Sequence, residues 1–301
     1  MGAMFWRGQF DKPTLHEFIL RYEVFRFEFE KDVCLPVKYY TPRPEHCLTF
    51  YVRDPQRASF IDSPTIITYP QSIIYGIQNI PIYRYGGHDF WAIKVVFQPG
   101  MLYRLTGIPL QELTNTFIDA EAIWGQAIRD VCARLNSSDD LAEMLQFIGE
   151  FLKRLVKTAR KNESPVDKAG QYILHQNQQI SLDQLADQSC LSVRQFIRKF
   201  DERMGVSPKT YDRIIRFDKA FRMKNKYPAL DWLSIALACG YYDYQHLAKD
   251  YKEFTHLTPA SFLEMEKATT NSFFGFCEVY DRYVGTTDSS FFIPALFDQI
   301  S

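Results

Sequence analysis

Two stretches of the sequence place nitrogen-bearing side chains on one face of a short amphipathic run. In "CLSVRQFIRKFDERMG" (190–205), Phe196 and Phe200 stand four residues apart. At ~100° per residue the opposite face carries Arg194 and Arg198, with Gln195 and Lys199 beside them. In "YDYQHLAKDYKEF" (242–254), Leu247 and Tyr251 repeat the four-residue step and leave Gln245, Lys249 and Lys252 opposite, with Tyr244 and His246 flanking Gln245. Arginine suits the guanine major-groove edge, glutamine suits adenine, and either can bond phosphate instead. The chemistry on offer is recognition of nucleic acid rather than bond making.

Each run needs a partner helix behind it. "SLDQLADQS" (181–189) opens on a capping Ser181 and puts Leu182, Leu185 and Ala186 on one face, before Cys190 to Ser192 turn the chain. "DWLSIALACG" (231–240) does the same with Asp231, Leu233, Ile235, Ala236 and Leu237, and Gly240 makes the turn. Both arrangements predict a helix-turn-helix, whose second helix enters the major groove. Between them, "SPKTYDRIIRFDKAFRMKNKYP" (207–228) predicts one helix, with Ser207 as cap, Pro208 in the first turn and Pro228 beyond the end. Some 19 residues at ~1.5 Å each span roughly 28 Å, close to the ~34 Å between major-groove entries on one face of B-DNA. From Arg194 to Lys226 eleven Lys or Arg stand against four acids, a surplus that attracts phosphate although the whole chain has a net charge of only -1.

Residues 166–267 resemble the double helix-turn-helix DNA-binding domain of the AraC/XylS family of transcription regulators, through "LADQSCLSVRQFIRKFDERMGVSPKTY" and "IALACGYYDYQHLAKDYKEFTHLTPASF". The resemblance implies that Arg194, Gln195, Arg198, Lys199, Tyr244, Gln245, His246 and Lys249 form the DNA-binding set. It also implies double-stranded promoter DNA as a partner, with a small-molecule effector, RNA polymerase and a second copy of the chain (a homodimer) as further partners. Two residues depart from the family pattern. His256 stands where glycine usually follows the second reading helix, and Ile197 stands where a polar contact residue is common. The segment "VVFQPGMLYRLTGIPLQELTNTFIDAEAIWG" resembles the β-rich, cupin-like sensor domain of a subset of these regulators.

The amino-terminal hundred residues agree with a β-rich unit. "CLTFYV", "TIITYP", "SIIYGI" and "FWAIKVVF" are short β-type runs separated by turn signals. The fold class expected is α+β multidomain: an N-terminal β-barrel or sandwich with helices, then an all-α domain with two helix-turn-helix motifs joined by a long helix. The periodicity of 108–135 and 137–159 predicts two amphipathic helices. In the second, Leu141, Met144, Leu145, Ile148, Phe151, Leu152 and Leu155 form a stripe that packs on the barrel or pairs subunits. Domains are expected at 1–160 and 166–267, split by the polar "RKNESPVDKAG" (160–170), with an aromatic-rich tail of unknown role at 268–301. Trp6, Tyr39, Tyr69, Tyr83, Tyr85 and Trp91 are candidates to line a ligand cavity or to fill an ordinary core.

Other chemistries find little purchase. The six cysteines form no C-x-x-C pair, the six histidines lack metal spacing, and Gly86, Gly87 and Gly100 read as turn residues rather than a phosphate loop. No catalytic signature, cofactor or metal site is expected, nor a membrane partner, because no apolar run approaches the ~18 residues that span a bilayer. These features read as a non-enzymatic cytoplasmic protein. The competing class is a cupin-like enzyme with the helical part as a docking module.

Overall fold

The computed structural model describes residues 2–271 apart from Lys12, Pro36, Asp62 and 176–180; most of the tail at 268–301 thus lies outside the described residues. The chain begins with β1 (Gly2–Gly8), α1 (Pro13–His16), β2 (Ile19–Glu28), β3 (Val37–Tyr40), β4 (His46–Tyr51), β5 (Arg57–Phe60) and β6 (Ile67–Thr68). It continues with β7 (Ser72–Tyr75), β8 (Ile82–Tyr85), β9 (Asp89–Phe97), α2 (Met101–Thr106), a 3-10 turn (Leu110–Leu113) and β10 (Phe117–Asp119). Helices α3 (Ala120–Trp124), α4 (Gln126–Asn136) and α5 (Leu141–Lys157) complete this half.

Among the described residues the strands form two separate antiparallel sheets rather than a closed barrel. The larger runs β1-β2-β9-β4-β7-β10 and the smaller β3-β8-β5-β6. Central strand β9 explains why "FWAIKVVF" is apolar almost throughout: every residue of it is buried, because both of its faces are covered. On one face Ile93 and Val95 join Leu48, Phe50 and Ile74 against the helices, where Ile128, Met144, Ile148, Phe151 and Leu152 come from α4 and α5. Complete burial of such a side chain stabilises by about 1.5–3 kcal/mol. Four residues of the α5 stripe, Met144, Ile148, Phe151 and Leu152, are thus buried against the sheet, while Leu141, Leu145 and Leu155 pack on it half-buried.

On the other face, Cys47, Tyr51, Ile73, Tyr75, Phe90, Ala92 and Val96 look toward the smaller sheet. Lys94 shares that face and would be costly there alone. Its Nζ lies 2.6 Å from Glu23 and 2.8 Å from Glu45, and Arg7 and Arg21 complete the cluster around Glu23. These cations hold the Glu23 and Glu45 carboxyls below their ordinary range even though burial alone pushes the other way.

One expectation fails here. Residues 108–135 are not one helix: Asn115 has φ 59 and Gly125 has φ 53, each breaking the ladder. The intervening β10 pairs with the sheet edge instead, with Phe117 opposite Tyr75. Apolar residues at three- and four-residue steps suit both outcomes, and the free edge of β7 decides between them. By contrast, Asp140 accepts from Ala142 N and starts the second predicted helix, α5.

The carboxy-terminal half is helical: α6 (Pro165–His175), α7 (Leu182–Gln188), α8 (Val193–Met204), α9 (Pro208–Lys226), α10 (Trp232–Ala238), α11 (Tyr244–Thr255) and α12 (Pro259–Asn271). Its core is built on Phe196, Phe200, Tyr211, Ile214, Phe217, Leu247 and Tyr251, and it also takes in Tyr39 from β3.

Candidate nucleic-acid interface

The two copies fold by the same local rules. Leu191 N donates to Ala186 O at 3.0 Å, and fifty residues later Tyr241 N donates to Ala236 O at 3.0 Å. Buried Ala186 and Ala236 give each turn its tight crossing. The left-handed position is Cys190 (φ 53) in the first copy and Gly240 (φ 81) in the second. Past the turn the register slips by one. Cap Ser192 corresponds to Asp243, Phe196 to Leu247, and C-cap Gly205 (φ 83) to His256 (φ 57). The extra residue is Tyr242, which is 82% exposed and meets the His246 ring edge-on.

Helix α9 runs 19 residues, as its cap and proline predict, with Ser207 accepting from Thr210 N. Buried Tyr211, Ile214, Ile215, Phe217 and Ala220 hold it between the two motifs. Arg213 reaches from it to Asp250 (2.7 Å) and Glu253 (2.6 Å) on α11, fixing the second motif against the spacer.

Charge is less available than the sequence count implies. Arg203 pairs with Asp167, Arg213 with Asp250 and Glu253, Arg216 with Asp212 and Arg222 with Asp218, and Lys224 donates to two backbone carbonyls. Arg194 and Arg198 are exposed at the start of α8 with no ion pair among the described residues. Lys199 is half-buried on the same helix, while Gln245 and Lys249 are exposed on α11. Three members of the predicted set are partly committed. Gln195 Oε1 accepts from Ser192 N (3.0 Å) in a capping box, His246 Nδ1 lies 2.8 Å from Asp243 Oδ1, and Tyr244 leans on the core. Exposed Tyr242 borders the same surface through its contact with His246 and went unnoticed in the sequence, where it does not fit the apolar-against-basic pattern.

The far end of each reading helix is held by the amino-terminal half. A helix leaves its last carbonyls without intrahelical partners. In α8, Met204 O accepts from His46 Nε2 at 2.9 Å and the next carbonyl, Gly205 O, from Thr114 Oγ1 at 2.6 Å. In α11 the carbonyl equivalent to Met204 O is Thr255 O, and it accepts from Tyr39 Oη at 2.9 Å. His46 belongs to β4 of the larger sheet and Tyr39 to β3 of the smaller. Burial pushes the His46 ring down to about 4, against the opposing pull of the Met204 carbonyl and Glu45, so it is neutral at neutral pH. Around Arg203, Asp167 accepts two bonds of 2.5 Å, Asn162 O accepts a third at 3.1 Å, and the Tyr103 ring lies 4.6 Å away.

Residues 185–265 match the family described as "Helix-turn-helix domain". This chain carries an AraC-type helix-turn-helix domain. A search of curated proteins returned no match. Among solved structures, an apo form of ToxT from Vibrio cholerae is similar at 10% identity, covering 81% of this chain and 97% of that one, with a TM-score of 0.46. The DNA-binding domain of AdpA, solved in complex with a target DNA, is similar at 20% identity over 35% of this chain and 96% of that one (TM-score 0.32). CuxR, an AraC-like transcriptional activator, is similar at 14% identity over 72% of this chain and 86% of that one (TM-score 0.26).

The six aromatic candidates divide. Trp6 and Trp91 pack with the helix-side core, while Tyr39 and Tyr83 face the carboxy-terminal half. Tyr85 meets Ser59, and Tyr69 alone of the six lines the cavity between the two sheets. Among the described residues no three His, Cys, Asp or Glu come together to hold a metal ion, and no helix is long and apolar enough to cross a membrane.

Proposed function

We propose that this protein is a DNA-binding transcription regulator that reads promoter DNA in two successive major grooves. Helix α8 presents Arg194 and Arg198 to one groove and α11 presents Gln245 and Lys249 to the next; Lys199, Gln195, Tyr244 and His246 support them. Residues 166–267 form the reading unit. Residues 1–160 form an effector-sensing unit that answers to a small molecule or partner. The observation that carries the reading is the duplicated helix-turn-helix on a 19-residue spacer, with unpaired arginines at the exposed start of α8. RNA polymerase and a second copy of the chain complete the proposed partners, and half-exposed Leu233 and Leu237 on α10 offer an apolar surface for a protein contact.

Selection of bound genomic fragments, followed by gel shifts across a salt series, tests this. A shared sequence with two half-sites about one helical turn apart is expected, with affinity falling steeply as salt rises. Arg198→Ala should relax preference at one base position by about 1–3 kcal/mol, whereas loss of a phosphate-contacting lysine should weaken all sequences alike. Absence of any preferred site would overturn the regulator reading.

A further inference from the structure

The space between the two sheets contains an arginine with no acid to answer it. Arg84 on β8 points into this space, and its Nε is buried without a hydrogen-bond partner. No carboxylate pairs with it among the described residues; the groups that face it are the hydroxyls of Tyr40, Tyr75, Tyr51 and Tyr69. The Tyr40 ring lies 3.6 Å from the guanidinium carbon and so fixes the plane of the fork. The Tyr75 hydroxyl, on the opposite sheet, is also buried with no conventional partner, only the weakly polar Cys47 thiol beside it. Uncompensated buried charge is costly, and a hydrogen-bonded acceptor offsets that cost.

Arg84 lines a cavity of about 60 Å³ walled by Phe60, Ile67, Ile73, Ile82 and Phe117. At ~10–15 Å³ for each water-sized group, that holds about four to six heavy atoms. Ser59, Gln78 and Asn115 also line it, but their side chains bond to protein neighbours: Ser59 to Tyr85, Gln78 to the Thr116 carbonyl, and Asn115 to Asn79 and Ile80. Arg84 is thus the cation of the wall with no acid to answer it, and the Tyr69 and Thr116 hydroxyls line the same space. Ile67 is 38% exposed while lining the same space, so the rim lies at edge strand β6.

We infer that this cavity binds a short-chain carboxylate, with the carboxylate on the Arg84 guanidinium and the apolar tail among the isoleucines and phenylalanines. An arginine fork pairs with a carboxylate through two parallel bonds. Phosphate or sulfate would satisfy Arg84 but leave the apolar wall unfilled.

The location supplies the readout. The ligand lies between the larger sheet, whose His46 holds the end of α8, and the smaller sheet, whose Tyr39 holds the equivalent carbonyl of α11. Tyr40, stacked on Arg84, is the chain neighbour of Tyr39. A ligand that alters the separation of the sheets moves the two anchors relative to each other, and with them the two reading helices. It biases DNA affinity by binding the two arrangements unequally. This coupling rests on the regulator reading above, whereas the binding site does not.

The test uses the full chain. Acetate, propionate and butyrate are titrated at constant ionic strength, with the matching alcohols and octanoate as controls, by calorimetry and thermal melting. The short carboxylates should bind and raise Tm by a few degrees at saturation, while the alcohols and octanoate do not. Arg84→Gln should weaken binding at least tenfold with its far-UV spectrum retained. Ile67→Trp, at the exposed rim, should block entry and serves if the Arg84 variant does not fold. Gel shifts with and without propionate then read the coupling as a change in DNA affinity. If no short carboxylate binds, or if one binds Ile67→Trp and a folded Arg84→Gln as well as wild type, the site is wrong, whatever DNA does. If a carboxylate binds at Arg84 but no DNA site is preferred, the site stands and the regulator reading falls. If both bind independently, the proposed coupling is wrong.

Discussion

Replacing Asp167 by alanine should be among the most damaging single changes in the carboxy-terminal half. Asp167 is fully buried and Arg203 is 8% exposed, and two guanidinium nitrogens each approach the carboxylate to 2.5 Å. Removing the acid strands a buried charge, which costs about 3–5 kcal/mol. The same carboxylate also accepts from Ser164 N at 3.0 Å near the start of α6, and losing such a bond costs about 1 kcal/mol. Among the described residues Arg203 keeps Asn162 O and the Tyr103 ring, so the upper part of the range, about 4–5 kcal/mol, is expected. The double change Asp167→Leu with Arg203→Met removes both charges at similar volume and should cost less than Asp167→Ala alone. Urea unfolding of wild type, Asp167→Leu, Arg203→Met and the double variant measures the coupling, expected to be about 2 kcal/mol or more. Coupling below about 0.5 kcal/mol would show that the two groups do not depend on each other, and the account of this junction would be wrong.

Acidification should loosen the His46 anchor. Its ring is lowered from 6.5 to about 4, so the unfolded chain takes the proton first; the contribution is complete above about pH 6.5 and is lost as pH falls toward 4, about 3 kcal/mol in all. His46→Gln should flatten the stability profile across that window, and parallel profiles would refute the assignment. At Cys190 (φ 53), glycine removes a left-handed strain of about 1–2 kcal/mol but adds about 0.4–1 kcal/mol of unfolded-state entropy, so Cys190→Gly should stabilise by about 0.5–1 kcal/mol. The reverse sign is expected for Gly240→Ala at φ 81 in the matching turn, and thermal unfolding compares the two. Tyr242→Ala should lower DNA affinity with little change in unfolding temperature, because the side chain is 82% exposed; an unchanged gel shift would remove Tyr242 from the interface.

The helical half was more legible than the β half, for a physical reason. Its helices carry side-chain caps and one apolar face each, so Ser181, Ser192, Ser207, Asp231 and Asp243 all lie where a helix begins. The one-residue difference between the copies shows in the sequence as a spacing, 22 residues from Ala186 to Pro208 against 23 from Ala236 to Pro259, but its location at Tyr242 needed the matched turn bonds. In the β half, β10 has three residues and owes its conformation to the open edge of β7, which periodicity does not encode. Helix α2 sits in "QPGMLYRLTG", where the flanking glycines Gly100 (φ 80) and Gly107 (φ 74) suggest turns and in fact bound six residues of helix. The lysine and arginine count overstated the free charge because Asp167, Asp250 and Glu253 lie outside the counted segment. Nothing in the order of residues announced that His46 and Tyr39 would meet the ends of both reading helices.

The smaller sheet is one strand-layer thick, and neighbouring residues of β3 serve opposite sides of it. Tyr39 leans on Phe262 of α12 and bonds α11, whereas Tyr40 turns inward beneath Arg84. Changes at two adjacent codons should therefore separate into two phenotypes. Variants at 39 would disturb operator binding whether or not a signal is present, while those at 40 would leave operator binding intact and make it deaf to the signal.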